Sequence, residues 1–136
     1  MKKILMLLTV IFTFAIASQA QSSIKFPRIA GDTIANTGTL VKVINTTSGY
    51  AGEAIQVSLS LLSGTGAGTV GVYGSLDGVS YAQIGSNYTI TNTASQSCNF
   101  YITAPLPQYT KVLITGAGTE SLLPTVFYRI TKYQTN

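Results

Sequence analysis

The amino-acid sequence predicts an all-β fold, an antiparallel β-sandwich of jelly-roll-like type with about eight strands. Three observations carry this. Apolar and polar residues alternate with period two through several windows. No window carries apolar residues at the three-and-four spacing of an amphipathic helix. Short runs rich in Val, Ile, Thr and Tyr are separated by Gly, Asn, Asp and Pro, the spacing expected of a sandwich or barrel.

The N-terminal twenty residues come first because they distort the composition. Met1-Lys2-Lys3 opens a 13-residue apolar run, Ile4 to Ile16, and Ala17-Ser18-Gln19-Ala20 follows. A basic start, a short apolar stretch and small residues at the −3 and −1 positions define a secretory signal peptide at 1–20. A spanning helix needs about 20 apolar residues, so a retained anchor is the weaker alternative. The expected localisation is therefore export, to the medium, a cell surface or a virion surface. Membrane contact is expected only through an uncleaved leader.

Residues 21–38 show little pattern and contain Pro27. They read as an extended arm, or as a strand added to a sheet edge, ahead of a sandwich domain at 39–136. Strands are expected at Leu40–Thr46, Glu53–Leu61, Thr69–Gly74, Tyr81–Ile84, Tyr88–Thr91, Ser97–Thr103, Tyr109–Thr115 and Thr125–Thr131. The clearest is Glu53–Leu61, where Ile55, Val57, Leu59 and Leu61 alternate with Gln56, Ser58 and Ser60. Asp77-Gly78 predicts a tight hairpin turn with positive φ at both central positions. Gly85-Ser86-Asn87 reads as a turn between two strands. Thr65–Thr69 and Thr115–Thr119 share the sequence T-G-A-G-T, which reads as repeated turn chemistry or as a duplicated hairpin.

Composition excludes much catalytic chemistry. The chain of 136 residues has no His, one Cys, four Asp+Glu and eight Lys+Arg. Imidazole bases, intrachain disulfides and His- or Cys-built zinc sites are all excluded. Without the leader, six basic residues face four acidic ones, a balance of +2, and the basic residues are scattered. Nucleic acid is not an expected partner. Charged residues make up 9% of the chain, against about 25% in ordinary soluble domains. No enzyme activity, cofactor or metal is expected.

Gly66, Gly68 and Gly71 fit the dinucleotide-binding pattern G-x-G-x-x-G, but Val70-Gly71-Val72-Tyr73 reads as strand where that chemistry needs a helix N-terminus. Ser22-Ser23-Ile24-Lys25 has the S-x-x-K spacing without a helix to carry it. Asp77 is the acid best placed for a ligand, on a loop, although a turn role explains it equally. Asp32 suits a local side-chain to backbone bond, and Glu53 and Glu120 read as solvated charges at strand ends. Asn45-Thr46-Thr47 and Asn87-Tyr88-Thr89 match glycosylation acceptors, with no modification expected behind a bacterial-type leader.

Eight tyrosines and no Trp make aromatic contact the most plausible surface chemistry. Tyr73 and Tyr101 fall on polar-facing positions and Tyr81 lies near a strand start. Tyrosine offers apolar area at low entropic cost, for protein contacts or sugar stacking. The expected contact surface is Tyr73, Asp77, Tyr81, Asn87 and Tyr101. The tyrosines would act as platforms, and Asp77 or Asn87 would supply hydrogen bonds.

A resemblance rests on Ala30-Gly31-Asp32-Thr33, Asn36-Thr37-Gly38-Thr39, the run Gly68 to Tyr81, Tyr109-Thr110-Lys111-Val112-Leu113-Ile114 and Thr115-Gly116-Ala117-Gly118-Thr119. Together these resemble small exported or virion-associated β-sandwich proteins of bacteriophages of Bacteroidetes, and of those hosts. Relatives often carry Trp where Tyr81 stands here. The resemblance implies no catalytic residues and a surface role: decorating a virion, building a fibre, or adhering to a cell or glycan. Assembly with itself or with other virion or surface proteins is the first expectation, and a secreted adhesion or carbohydrate-binding module is the alternative.

Overall fold

The computed structural model describes residues 28–46 and 50–132. The leader at 1–20 and the first part of the arm lie outside the described residues. Nine strands follow in order: β1 (Arg28–Ala30), β2 (Ile34–Ala35), β3 (Thr39–Asn45), β4 (Tyr50–Ser63), β5 (Gly68–Ser75), β6 (Ala82–Ile90), β7 (Ser95–Thr103), β8 (Tyr109–Gly116) and β9 (Ser121–Lys132). One sheet runs β1-β9-β4-β7 with β2 also on β9, and the other runs β3-β8-β5-β6. All pairings are antiparallel. With β1 and β2 counted as one interrupted strand, this is an eight-stranded sandwich of two four-stranded layers, the jelly-roll arrangement.

The interruption has a cause in Pro124. Ala30 pairs with Thr125 and Ile34 with Leu122, so the break faces Pro124. The Gly31 N–H donates to the Pro124 carbonyl at 3.2 Å, which puts Pro124's hydrogen-bonding side toward the β1–β2 strand. A proline has no N–H to return, and the ladder opens there.

Alternation fills the space between the layers. Ile55, Val57 and Leu59 of β4 pack with Val70 and Val72 of β5, Val112 and Ile114 of β8, and Leu122 and Val126 of β9. Cys98 is buried in this core with a free thiol. At one margin the Tyr88 hydroxyl of β6 donates to Gln96 Oε1 of β7 at 3.2 Å, tying the sheets together.

Three sequence expectations change. Tyr81–Ile84 and Tyr88–Thr91 fall largely within one strand, β6. Gly85-Ser86-Asn87 is a bulge inside it, sitting between the pairs Val72–Ile84 and Val70–Tyr88, with Gly85 at φ 70°. The β5–β6 hairpin exists, but residues 76–81 connect it and only Gly78 (φ 75°) is left-handed. Glu53 and Glu120 are both buried, 3% and 1% exposed, rather than solvated.

The two T-G-A-G-T segments form the β4–β5 and β8–β9 connections, as the turn reading expects, and they lie against each other. Thr69 pairs with Thr115 and Gly68 with Gly116. The Ala117 N–H donates to the Ala67 carbonyl at 3.1 Å, and Thr65 N–H reaches Thr119 Oγ1 at 3.4 Å. The segment reads the same in both directions, so antiparallel pairing sets each residue against its own kind. Glycine permits the close approach: a Cβ on Gly118 would lie 2.2 Å from the Thr65 carbonyl oxygen.

Candidate functional site

The outward face of the four-stranded sheet follows from register. On β8, Val112 and Ile114 point into the core, so Tyr109, Lys111, Leu113 and Thr115 point out. Reading across the strands, Val43 pairs with Lys111, Lys111 with Tyr73 and Tyr73 with Gln83. The next row holds Val41, Leu113 and Gly71, and the row beyond is Thr39, Thr115, Thr69 and Thr89. Val41 and Val43 are about half exposed, at 48% and 49%.

Lys111 is the centre of this face. Its Nζ lies 4.2 Å from the Tyr81 ring centroid and 5.1 Å from that of Tyr73. Such cation–π contacts are worth roughly 0.5–1 kcal/mol at exposed sites. Gly71 lets Asn87 and Tyr73 close over the strand beside them: a Cβ there would meet Asn87 Oδ1 at 2.6 Å and the Tyr73 ring at 3.0 Å. Gln83 Nε2 donates to Asn87 Oδ1 at 3.1 Å. Tyr73, Tyr81 and Asn87 therefore do share one surface.

Asp77 borders that surface in a different role. Its Oδ1 accepts hydrogen bonds from the N–H groups of Val79 and Ser80, both at 2.8 Å, and from Ser75 Oγ at 2.7 Å. Ser75 Oγ in turn accepts from the Gly78 N–H at 2.9 Å. The Val79 N–H first, then Ser75, then Ser80, pull the carboxyl down to about 2. Asp77 thus shapes the β5–β6 loop, which holds Leu76 and Val79 in solvent at 75% and 82% exposure.

Tyr101 stands apart from the other four. It lies on β7 of the five-stranded sheet, opposite Ala54, with outward register and 75% exposure. Tyr73 and Tyr101 therefore occupy opposite outer faces of the sandwich. Sequence reasoning missed Lys111, Val41, Val43 and Leu113 as members of the first face. The signal was present in β8, where Lys111 and Leu113 alternate with Val112 and Ile114.

The acids are dispersed. Asp32 is exposed at the β1–β2 break. Glu53 lies inside the sandwich, where burial raises its carboxyl above the usual range and the Thr110 hydrogen bond partly offsets this. Glu120 accepts the Ala117 N–H at 3.0 Å through Oε1. Gly116 and Gly118 make room for its carboxylate, since a Cβ on either would fall 2.3 Å from a Glu120 oxygen. Glu53 pairs with Ile130 near the end of β9, whereas Glu120 precedes its start. At about 3.3 Å per residue the two interior acids are roughly 30 Å apart. Among the described residues, no three His, Cys, Asp or Glu side chains form a metal-binding group, and no helix is long and apolar enough to cross a membrane.

No family model matches the chain, and no curated protein matches it. Among solved structures, it is similar to the PBSX exported protein XepA, with TM-score 0.61 and 4% identity over 82% of this chain and 38% of that one. It is similar to a protein of infectious bursal disease virus Gx strain, with TM-score 0.51 and 12% identity over 84% of this chain and 33% of the viral one. The Yersinia pseudotuberculosis-derived mitogen gives TM-score 0.50 and 12% identity over 85% and 91% of the two chains. At these identities the likeness is one of fold: the chain is a β-sandwich protein.

Proposed function

We propose that the chain is a non-enzymatic, exported surface protein that works by assembling with copies of itself or with other surface proteins. The carrying observation is the outer face of the four-stranded sheet, where Val41 and Val43 stand half exposed beside Leu113 and the Tyr73–Lys111–Tyr81 cluster. A mixed apolar, aromatic and lightly charged face has the chemistry of a protein interface. Scarce charge lowers the repulsion between copies.

The face, rather than the sheet edge, is the assembly surface. β3 is an edge strand of its sheet, and Lys42 takes an inward register position on it, between outward Val41 and Val43. An inward charge on an edge strand opposes the addition of another strand. Association with a phage particle is the role in keeping with the resemblance noted from the sequence, and the leader supports export. Dispersal of the four acids supports the non-enzymatic reading.

Carbohydrate stacking on Tyr73 and Tyr81 is the less favoured use of this face. The Lys111 ammonium already lies over the Tyr81 ring, where a sugar would have to displace it. Sedimentation of the purified protein tests assembly. The expected result is a concentration-dependent oligomer that Val43→Lys reduces to monomer with its fold intact by circular dichroism. A wild-type protein that stays monomeric at high concentration overturns the reading. Proteomics of virion, membrane and supernatant fractions tests export and phage association.

A further inference from the structure

The opposite outer face carries a separate arrangement. In the five-stranded sheet, Ala54 of β4 pairs with Tyr101 of β7 on one side and with Arg129 of β9 on the other. In the next row Gln56 lies between Asn99 and Phe127, and on the other side Gly52 lies between Thr103 and Thr131. Gln56, Asn99 and Tyr101 are exposed, while Ile55, Val57, Cys98 and Ile102 take the alternate, buried positions. Arg129 and Tyr101 thus flank a floor of two small residues, Ala54 and Gly52. Neighbouring strands lie about 4.8 Å apart, so the two backbones are separated by about 10 Å, room for one sugar ring between the side chains.

The charge on this face has one sign. Among the described side chains, Arg129 is the charged one at outward positions of β4, β7 and β9, and its Nε is shielded from solvent without a hydrogen-bond partner. The acids lie elsewhere: Glu53 and Glu120 in the interior, Asp77 in the β5–β6 loop, and Asp32 at the β1–β2 break. A guanidinium favours a planar carboxylate, which its fork can meet with two parallel hydrogen bonds. Tyr101, unlike Tyr81, is not the ring beneath the Lys111 ammonium. It offers an apolar platform to the carbon face of a sugar. Asn99 and Gln56 place amide donors and acceptors one row away, within reach of ring hydroxyls.

We propose that this face is a binding site for a carboxylated saccharide, of the hexuronic acid type. The carboxylate would meet Arg129, the ring would stack on Tyr101, and Asn99 and Gln56 would take hydroxyl groups. The site does not rest on the assembly reading, because it uses the other sheet. A protein whose four-stranded face packs against its neighbours would present this one outward.

Calorimetric titration of the purified full chain tests the proposal with three probes: a trigalacturonate, the neutral galactose trisaccharide, and a tri-glutamate peptide. The expected result is binding of the uronate that weakens at least tenfold in Tyr101→Ala and in Arg129→Gln, with Lys42→Gln unchanged. The neutral sugar and the peptide should each bind at least tenfold more weakly, since each supplies one half of the recognition. Tyr101 is so exposed that its truncation should leave the fold intact, which keeps the test decisive should Arg129→Gln fold poorly. Four results overturn the proposal: no uronate binding, binding indifferent to Tyr101→Ala, loss in Lys111→Gln alone, and equal binding of the peptide.

Discussion

Thr110 Oγ1 of β8 donates a 2.7 Å hydrogen bond to Glu53 Oε2 of β4, joining the two sheets through the interior. It is the hydrogen bond that Glu53 accepts across the sandwich, and Glu53 Oε1 is buried without a partner. The pair is asymmetric in its consequences. Thr110→Val removes the donor and leaves a buried carboxyl wholly unsatisfied, at a cost of about 1–3 kcal/mol. Glu53→Gln keeps an acceptor for Thr110 and carries no charge, so thermal melts at neutral pH should show it at least as stable as the parent.

The same residue sets a pH dependence. Glu53 binds its proton more tightly when folded, because burial raises its carboxyl. Its contribution to stability is therefore complete below the unfolded value of about 4.3. It is lost as pH rises through the higher folded value. Melts recorded from pH 4 upward should show a declining component in the parent that is missing in Glu53→Gln. A pH profile identical in the two proteins would refute the assignment.

Asp77 has the opposite sign. Hydrogen bonds hold its carboxyl at about 2, so its contribution is present above the ordinary aspartate value near 3.9 and fades as pH falls toward 2. Asp77→Ala should free the Val79 and Ser80 amides, seen as faster hydrogen exchange confined to residues 76–81. The hairpin itself should survive, since its strands pair independently of the loop. Global acceleration of exchange would show that the loop matters more widely.

Glycine substitutions should divide sharply by position. Gly68 has φ 132°, and a Cβ there would lie 2.0 Å from the Thr115 carbonyl oxygen. Gly68→Ala must push two paired strands apart, at a cost of roughly 3 kcal/mol or more by denaturant titration. Gly85 also has positive φ, 70°, but nothing lies within 4 Å of a Cβ built on it. Gly85→Asn, with a residue that tolerates the left-handed region, should cost about 1 kcal/mol or less.

Much of the fold was legible because alternation is local. The run Ile55–Leu61 marks a half-buried strand without reference to any partner. The same logic, carried two residues back, puts Glu53 in register with Ile55 and Val57 and predicts its burial. Reading it by its charge alone concealed this. Other features depend on pairing that no local window contains. Parity shows that Tyr73 and Tyr101 both point outward, but only strand order separates their sheets. Pro124 breaks one neighbouring strand and leaves the other intact, according to the side its missing N–H faces. The T-G-A-G-T segments are legible as repeated turns, but their self-complementarity acquires meaning only when two distant strands meet.

The adjacency of β1 and β9 has a mechanical consequence. The chain enters the described domain at Arg28 and leaves beyond Phe127, and these two residues are register partners in antiparallel strands. Tension applied through the two ends would open this ladder from its rim, one hydrogen bond after another, as a zipper opens. Load passed between the two outer faces would instead press on interdigitated side chains and on the Glu53–Thr110 tie. By this geometry the fold would yield more readily to a pull along the chain than to a load pressed across its two faces.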